Sequence, residues 1–226
     1  NDNLLYLLFL RLNQNSVTLS PQELRRALFP GDFMNWLDDK TAISPAMELI
    51  FNKVPDFRMR DMEIGTRYLA FNAYSSSYAG NMKKFLDDTS KIYKNNFQDN
   101  FVNLELAWAN FEFSMSLTKS IFGKNAFKSR IGGDYQRSVN RAVIDIMSYY
   151  FSFPEVRDLV DKNCYPAIKL AFENLCDQSE TFLRSIQTST KTARATSQRF
   201  HDWGDALRVL LGNAVPIFPL PRNPAE

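Results

Sequence analysis

Apolar positions along this chain recur at steps of three and four. Met82, Phe85, Leu86, Ile92 and Tyr93 make one series, and Leu104, Trp108, Phe111, Met115 and Phe122 a second. Val139, Ala142, Val143, Ile146, Met147 and Tyr150 form a third. Ile168, Phe172, Leu175, Phe182 and Ile186 form a fourth, and Trp203, Leu207 and Leu210 a fifth. Such steps return side chains to one side of an α-helix, so each series predicts a helix with a buried face. No stretch keeps a two-residue alternation, and no Asn-Gly or Asp-Gly pair marks a hairpin. The pattern predicts an all-α domain of about eight to ten helices over residues 1–212.

The polar punctuation agrees. In Ser20-Pro21-Gln22-Glu23, Ser20 can cap a helix, Pro21 suits its first position, and Glu23 can complete a capping box. That helix, 21–29, should stop at Pro30-Gly31, and Ser44-Pro45 repeats the start. Further breaks are expected at 54–57, 75–80, 123–134, 152–154 and 187–191, with Gly123–Asp134 the most loop-like. Pro216, Pro219, Pro221 and Pro224 exclude a helix from 213–226, which predicts an extended Pro-rich arm. Leu4–Leu10 is an apolar run followed by Arg11. It falls short of the ~20 residues needed to cross a bilayer, so no membrane partner is expected. It predicts a buried helix cut near its natural beginning. The apolar face around Leu4, Leu5, Leu8 and Leu12 should then be covered by a second copy, another chain or the arm.

Composition narrows the chemistry. The 27 Lys+Arg against 25 Asp+Glu leave a net charge of +2, so nucleic-acid binding would need a local basic patch. Cys164 and Cys176 have no metal-site or redox spacing, and His201 is the single histidine. The reading therefore assigns no metal, no catalytic residue and no cofactor to this chain alone. Two thiols suit a reducing cytoplasm. His201 adjoins Asp202, but sequence neighbours on a helix do not face each other, and no nucleophile elbow is present. Gly123-Lys124 lacks the order of a phosphate-binding P-loop.

Two stretches could hold an anion. Arg58 and Arg60 precede a helix that Asp61 is placed to cap, with Arg67 on it. The alternative is that these arginines pair with acids of neighbouring helices. In "TSTKTARATSQRF", Lys191, Arg194 and Arg199 accompany many hydroxyls at a helix start. The alternative there is a capped, solvated end.

The order of motifs resembles the bacterial GmrSD-type restriction family, whose members carry a DGQQR motif. Phe9, Arg11, Leu12 and Asn13 match its "F-x-R-L-N", and Leu19, Ser20, Gln22, Glu23, Leu24, Arg25 and Ala27 match "L-S-x-Q-E-L-R-x-A". Arg58-Met59-Arg60-Asp61-Met62-Glu63 matches "R-x-R-D-x-E". Tyr78, Gly80, Met82, Lys83, Phe85 and Leu86 match "Y-x-G-x-M-K-x-F-L", and Asn140, Arg141, Ala142 and Asp145 match "N-R-A-x-x-D". The matches run in order from residue 4 to about 150. In that family a ParB- and sulfiredoxin-like half bearing the DGQQR signature precedes this region and is linked to nucleotide hydrolysis. No such signature stands in these residues, and the family's nuclease segment is also absent.

The resemblance therefore implies the helical, C-terminal part of an anti-phage defence protein that senses DNA or a nucleotide. Its partner would be the DGQQR half or a separate chain, with DNA and a second copy as further candidates. A nucleotide would bind together with that other half, and this chain alone should hydrolyse none. The implied binding residues are Arg11, Asn13 and Arg25 near the join, then Arg58 and Arg60, then Lys191 and Arg194. A catalytically inert helical interaction module is the alternative.

Overall fold

The Ser-Pro starts fold as their chemistry predicts. In the computed structural model, which describes residues 19–188, 190–222 and 224, Ser20 and Glu23 form a full capping box ahead of α1 (Pro21–Leu28). Ser44 accepts a hydrogen bond from the Met47 amide at the one-turn helix α3 (Pro45–Glu48). Between them lies α2 (Asp32–Ala42). Then come α4 (Arg60–Tyr74), α5 (Met82–Asn95), the long α6 (Phe97–Phe122), α7 (Arg141–Phe151) and the short α8 (Pro154–Arg157). The chain closes with α9 (Tyr165–Gln178), α10 (Glu180–Gln187) and α11 (Ala193–Leu211). Nine of these eleven helices have seven residues or more, in line with the eight to ten expected.

Helix α7 is the centre. Every residue from Ala142 to Phe151 is buried, including Asp145 and Ser148. A helix buried on all sides must be enclosed by others. Here α4 and α6 pack on it, and α11 reaches it while also packing on α9 and α10. The second apolar series lies wholly in the core, from Leu104 to Phe122. Single positions depart from the others. Ile92, Val139 and Leu210 are exposed, the last two at the ends of their series. The fourth series belongs to two helices, because the chain turns at Ser179, whose hydroxyl caps α10 through the Phe182 amide.

One expectation is corrected and another gains detail. The stretch expected to be the loosest loop contains a small antiparallel hairpin, β1 (Arg130–Ile131) and β2 (Asp134–Tyr135). Its turn, Gly132-Gly133, has both φ values positive, at 58° and 87°, which a two-residue hairpin turn requires and glycine supplies. As expected, the Pro-rich segment is no helix beyond a short turn at Gly212–Ala214, and it lies against the chain's own core. Val215, Phe218 and Leu220 are buried, and Phe218 stacks on Phe200 with ring centroids 4.0 Å apart. Prolines leave no amide needing a partner, so the segment can lie against α11 while its carbonyls accept from that helix. His201 Nε2 lies 2.8 Å from the Leu220 carbonyl oxygen, and Arg208 donates to Pro216.

Among the described residues no helix is long and apolar enough to cross a membrane. The Leu4–Leu10 run, with the apolar face expected around it, lies outside the described residues, as do Arg11 and Asn13.

Candidate functional site: a basic groove at converging helix starts

The starts of four helices meet at one groove of about 790 Å³. Ser20 and Pro21 open α1, Arg60 and Glu63 belong to the first turn of α4, Met82 and Lys83 begin α5, and Asn140 to Ala142 begin α7. Thr190 and Lys191, just ahead of α11, complete the rim. Helix N-termini carry the positive end of the backbone dipole, so their convergence favours a negative charge before any side chain is counted. The side chains add to this. Seven cations line the groove, Arg25, Arg58, Arg60, Arg67, Lys83, Arg141 and Lys191, against one acid, Glu63.

Local capping explains how these ends are held. Asn140 accepts from the Ala142 and Val143 amides and donates to the Ile186 carbonyl, fixing the start of α7 to the last turn of α10. Asn81 caps α5 through the Lys84 amide. At α4 the expected cap is corrected. Asp61 sits inside the helix, and it is Asp56 whose carboxylate accepts from the Arg58 and Arg60 amides, each at 3.1 Å. Met59, in the left-handed region with φ 53°, puts the turn between them. Burial raises the pKa of Asp61, whereas the Arg60 guanidinium on Asp56 lowers that of Asp56.

Most of the cations have acidic partners, as the alternative reading of the Arg58–Arg60 stretch expects. Arg58 meets Glu23 at 3.3 Å, and Arg60 forms a two-pronged contact with Asp56. Arg141 stands 3.6 Å from Glu63. Two carboxylates, however, are each shared by two cations. Asp87 takes Arg25 and Lys83, both at 2.9 Å. Asp145, deep in α7, takes Arg67 at 2.9 Å and Arg199 of α11 at 3.4 Å.

Arg199 is fully buried, and burial brings its pKa down to about 10, with neighbouring Arg67 adding to the effect. Its Nε has no hydrogen-bond partner. Burial also lowers the pKa of Arg25. For Arg67 burial works in the same direction, but the Asp145 carboxylate outweighs it, and its pKa ends above the ordinary value.

Four of the residues singled out from sequence, Arg25, Arg58, Arg60 and Lys191, thus share one groove. Arg194 does not. It borders a separate shallow depression of about 340 Å³, with Arg184 and the hydroxyls of Thr181, Ser185, Thr188 and Thr192. Arg67, noted with Arg58 and Arg60 in a stretch that could hold an anion, also lines the groove, and Lys83 and Arg141 complete it. The one sequence signal of Lys83 and Arg141 is membership of the stretches that carry the family resemblance. Those stretches, "LSPQELR", "RMRDME", "YAGNMKKFL" and "NRAVID", lie far apart in the chain, and each contributes residues to this groove. No family model, curated protein or solved structure matches this chain.

Among the described residues no group of histidine, cysteine, aspartate or glutamate is placed to hold a metal ion, and both cysteines are free thiols.

Proposed function

We propose that this chain is the helical component of a bacterial anti-phage defence protein, acting in the cytoplasm beside a nucleotide-hydrolysing DGQQR half. Its groove would receive phosphate groups of the nucleotide or DNA that the assembly senses. The observation that carries this reading is the convergence of four helix starts and seven cations on one groove. The stretches that resemble the GmrSD-type family supply most of that surface. Helix N-termini and arginines are the usual protein ligands of phosphate. A net charge near zero agrees with a local site rather than bulk attraction to nucleic acid.

The test is binding of duplex DNA and of ATP or GTP to the purified chain, followed by size measurement and titration. Arg141→Glu with Lys191→Glu reverses two exposed rim charges and should weaken binding at least tenfold. The same pair should lower protection in bacteria challenged with phage. Absence of binding to either ligand class, or indifference to the rim substitutions, would count against the reading.

One observation favours the interaction module as a second reading. Val102, Leu106 and Phe113 project from one side of α6 and are largely exposed. The Pro-rich segment serves that reading little, because Val215, Phe218 and Leu220 are spent on the chain's own core and of its large apolar side chains only Ile217 is exposed.

A further inference from the structure

The groove has a floor as well as a rim, and the two differ. Arg25 is 1% exposed and Arg67 6%, yet both line the groove. Arg25 uses Nε on Asp87 and Nη1 on Gln22, and Arg67 uses Nε and Nη2 on Asp145. That leaves Nη2 of Arg25 and Nη1 of Arg67 without a hydrogen bond to the described residues. Each guanidinium is thus clamped by a carboxylate on one edge and keeps a donor at the other.

The charge count points the same way. Among the described residues Asp145 is the one carboxylate paired with both Arg67 and Arg199, so these two buried guanidiniums hold one positive charge more than it neutralises. Buried charge without a counter-charge is costly, and an anion entering the groove would relieve it.

We infer that the floor formed by Arg25 and Arg67 is a recess for a terminal phosphate, a group with free non-bridging oxygens at the end of a small molecule or of a nucleic-acid strand. This rests on the proposed function and narrows it. Shape favours a terminal phosphate over a backbone diester. Duplex phosphates lie on a convex cylinder and meet the rim, whereas a protruding end can reach side chains as deeply set as these.

The test compares four probes on the full chain by competition against a fluorescent single strand. They are a 5′-phosphorylated oligonucleotide, the same strand with a 5′-hydroxyl, a blunt duplex with 5′-hydroxyl ends, and inorganic pyrophosphate. The phosphorylated strand should bind about tenfold or more tightly than its hydroxyl counterpart, the scale of a charge-assisted hydrogen bond. Competition by pyrophosphate at comparable concentration identifies a small-molecule phosphate as sufficient. If only the phosphorylated strand binds, the source is a nucleic-acid end.

Arg25→Met and Arg67→Met should each remove the preference. Both leave a balanced pair behind, Asp87 with Lys83 and Asp145 with Arg199, so the fold should persist, as circular dichroism will show. If either methionine variant unfolds, the wild-type comparison of phosphorylated and hydroxyl ends still decides. Equal affinity for those two ends overturns the inference. A duplex that binds as tightly as the phosphorylated strand also overturns it, but leaves the groove reading standing. Failure of all four probes to bind overturns both.

Discussion

Asp145 shows how much can depend on one side chain. It is the only acid in contact with Arg67 and Arg199 among the described residues, and all three side chains are at least nine-tenths buried. Asp145→Ala would leave two guanidiniums without a counter-charge and should destabilise the chain by about 3–5 kcal/mol in urea unfolding. Arg67→Met should cost much less, since Asp145 keeps Arg199. Gly204 is a second such point. A Cβ there would stand 2.7 Å from the ring of Tyr150, whose hydroxyl donates to the Phe200 carbonyl at 2.8 Å. Gly204→Ala should therefore cost about 1–3 kcal/mol by overpacking, read as a lower unfolding midpoint with an unchanged slope. Neither role was legible in the sequence. Arg67 and Asp145 are 78 residues apart, and nothing local in either stretch tells which acid meets which arginine. What the sequence does show is residue type, and three of the four groove cations found that way, Arg58, Arg60 and Lys191, stand at helix starts, where local rules apply, while Arg25 lies in the last turn of α1.

At the scale of elements the local rules worked where their signals were strong. Ser-Pro at 20–21 and 44–45 opened helices because the hydroxyl and the fixed proline φ both act within one turn. The turn at Ser179 escaped because neither glycine nor proline marks it, and an unbroken apolar series ran across it. The Gly132-Gly133 hairpin escaped because its strands are two residues each, too short to alternate. At α4 the error was one of register. Asp61 and Asp56 are both near the start, and only the left-handed turn at Met59 makes Asp56 the cap. That assignment has a pH signature. The Arg60 side-chain hydrogen bond lowers the pKa of Asp56 in the folded chain, so its contribution is complete above the unfolded value, near 3.9. It is lost as pH falls through the lower folded value. Asp56→Asn should cost about 1 kcal/mol at pH 7, and the gap to wild type should close on acidification. A gap that stays constant down to pH 2 would mean that the carboxylate's charge plays no part.

For the whole molecule, the segment after α11 decides whether the helices act as one body. Phe218 touches Phe200 of α11, Tyr149 of α7 and Phe71 of α4, at centroid distances of 4.0, 5.3 and 6.4 Å. Two of the helices that begin at the groove, α4 and α7, are thus pinned at a point beyond α11, and the geometry of the groove depends on residues far from it. A Pro-rich tail predicts the absence of a helix but not its destination, since proline content says nothing of which face will receive the intervening apolar residues. Phe218→Ala removes a ring that is 2% exposed and should cost about 3–5 kcal/mol. Its neighbour Ile217 is 71% exposed, so Ile217→Ala should stay within about 0.5 kcal/mol of wild type. The two substitutions remove apolar side chains of adjacent residues, so a difference between them measures enclosure rather than composition. If the segment is part of the core, the Phe218→Ala chain should also lose affinity for its groove ligand as α4 and α7 loosen, while Ile217→Ala binds normally. Equal urea midpoints for the two variants would show that the segment is not part of the core, and that the elements around the groove hold together without it.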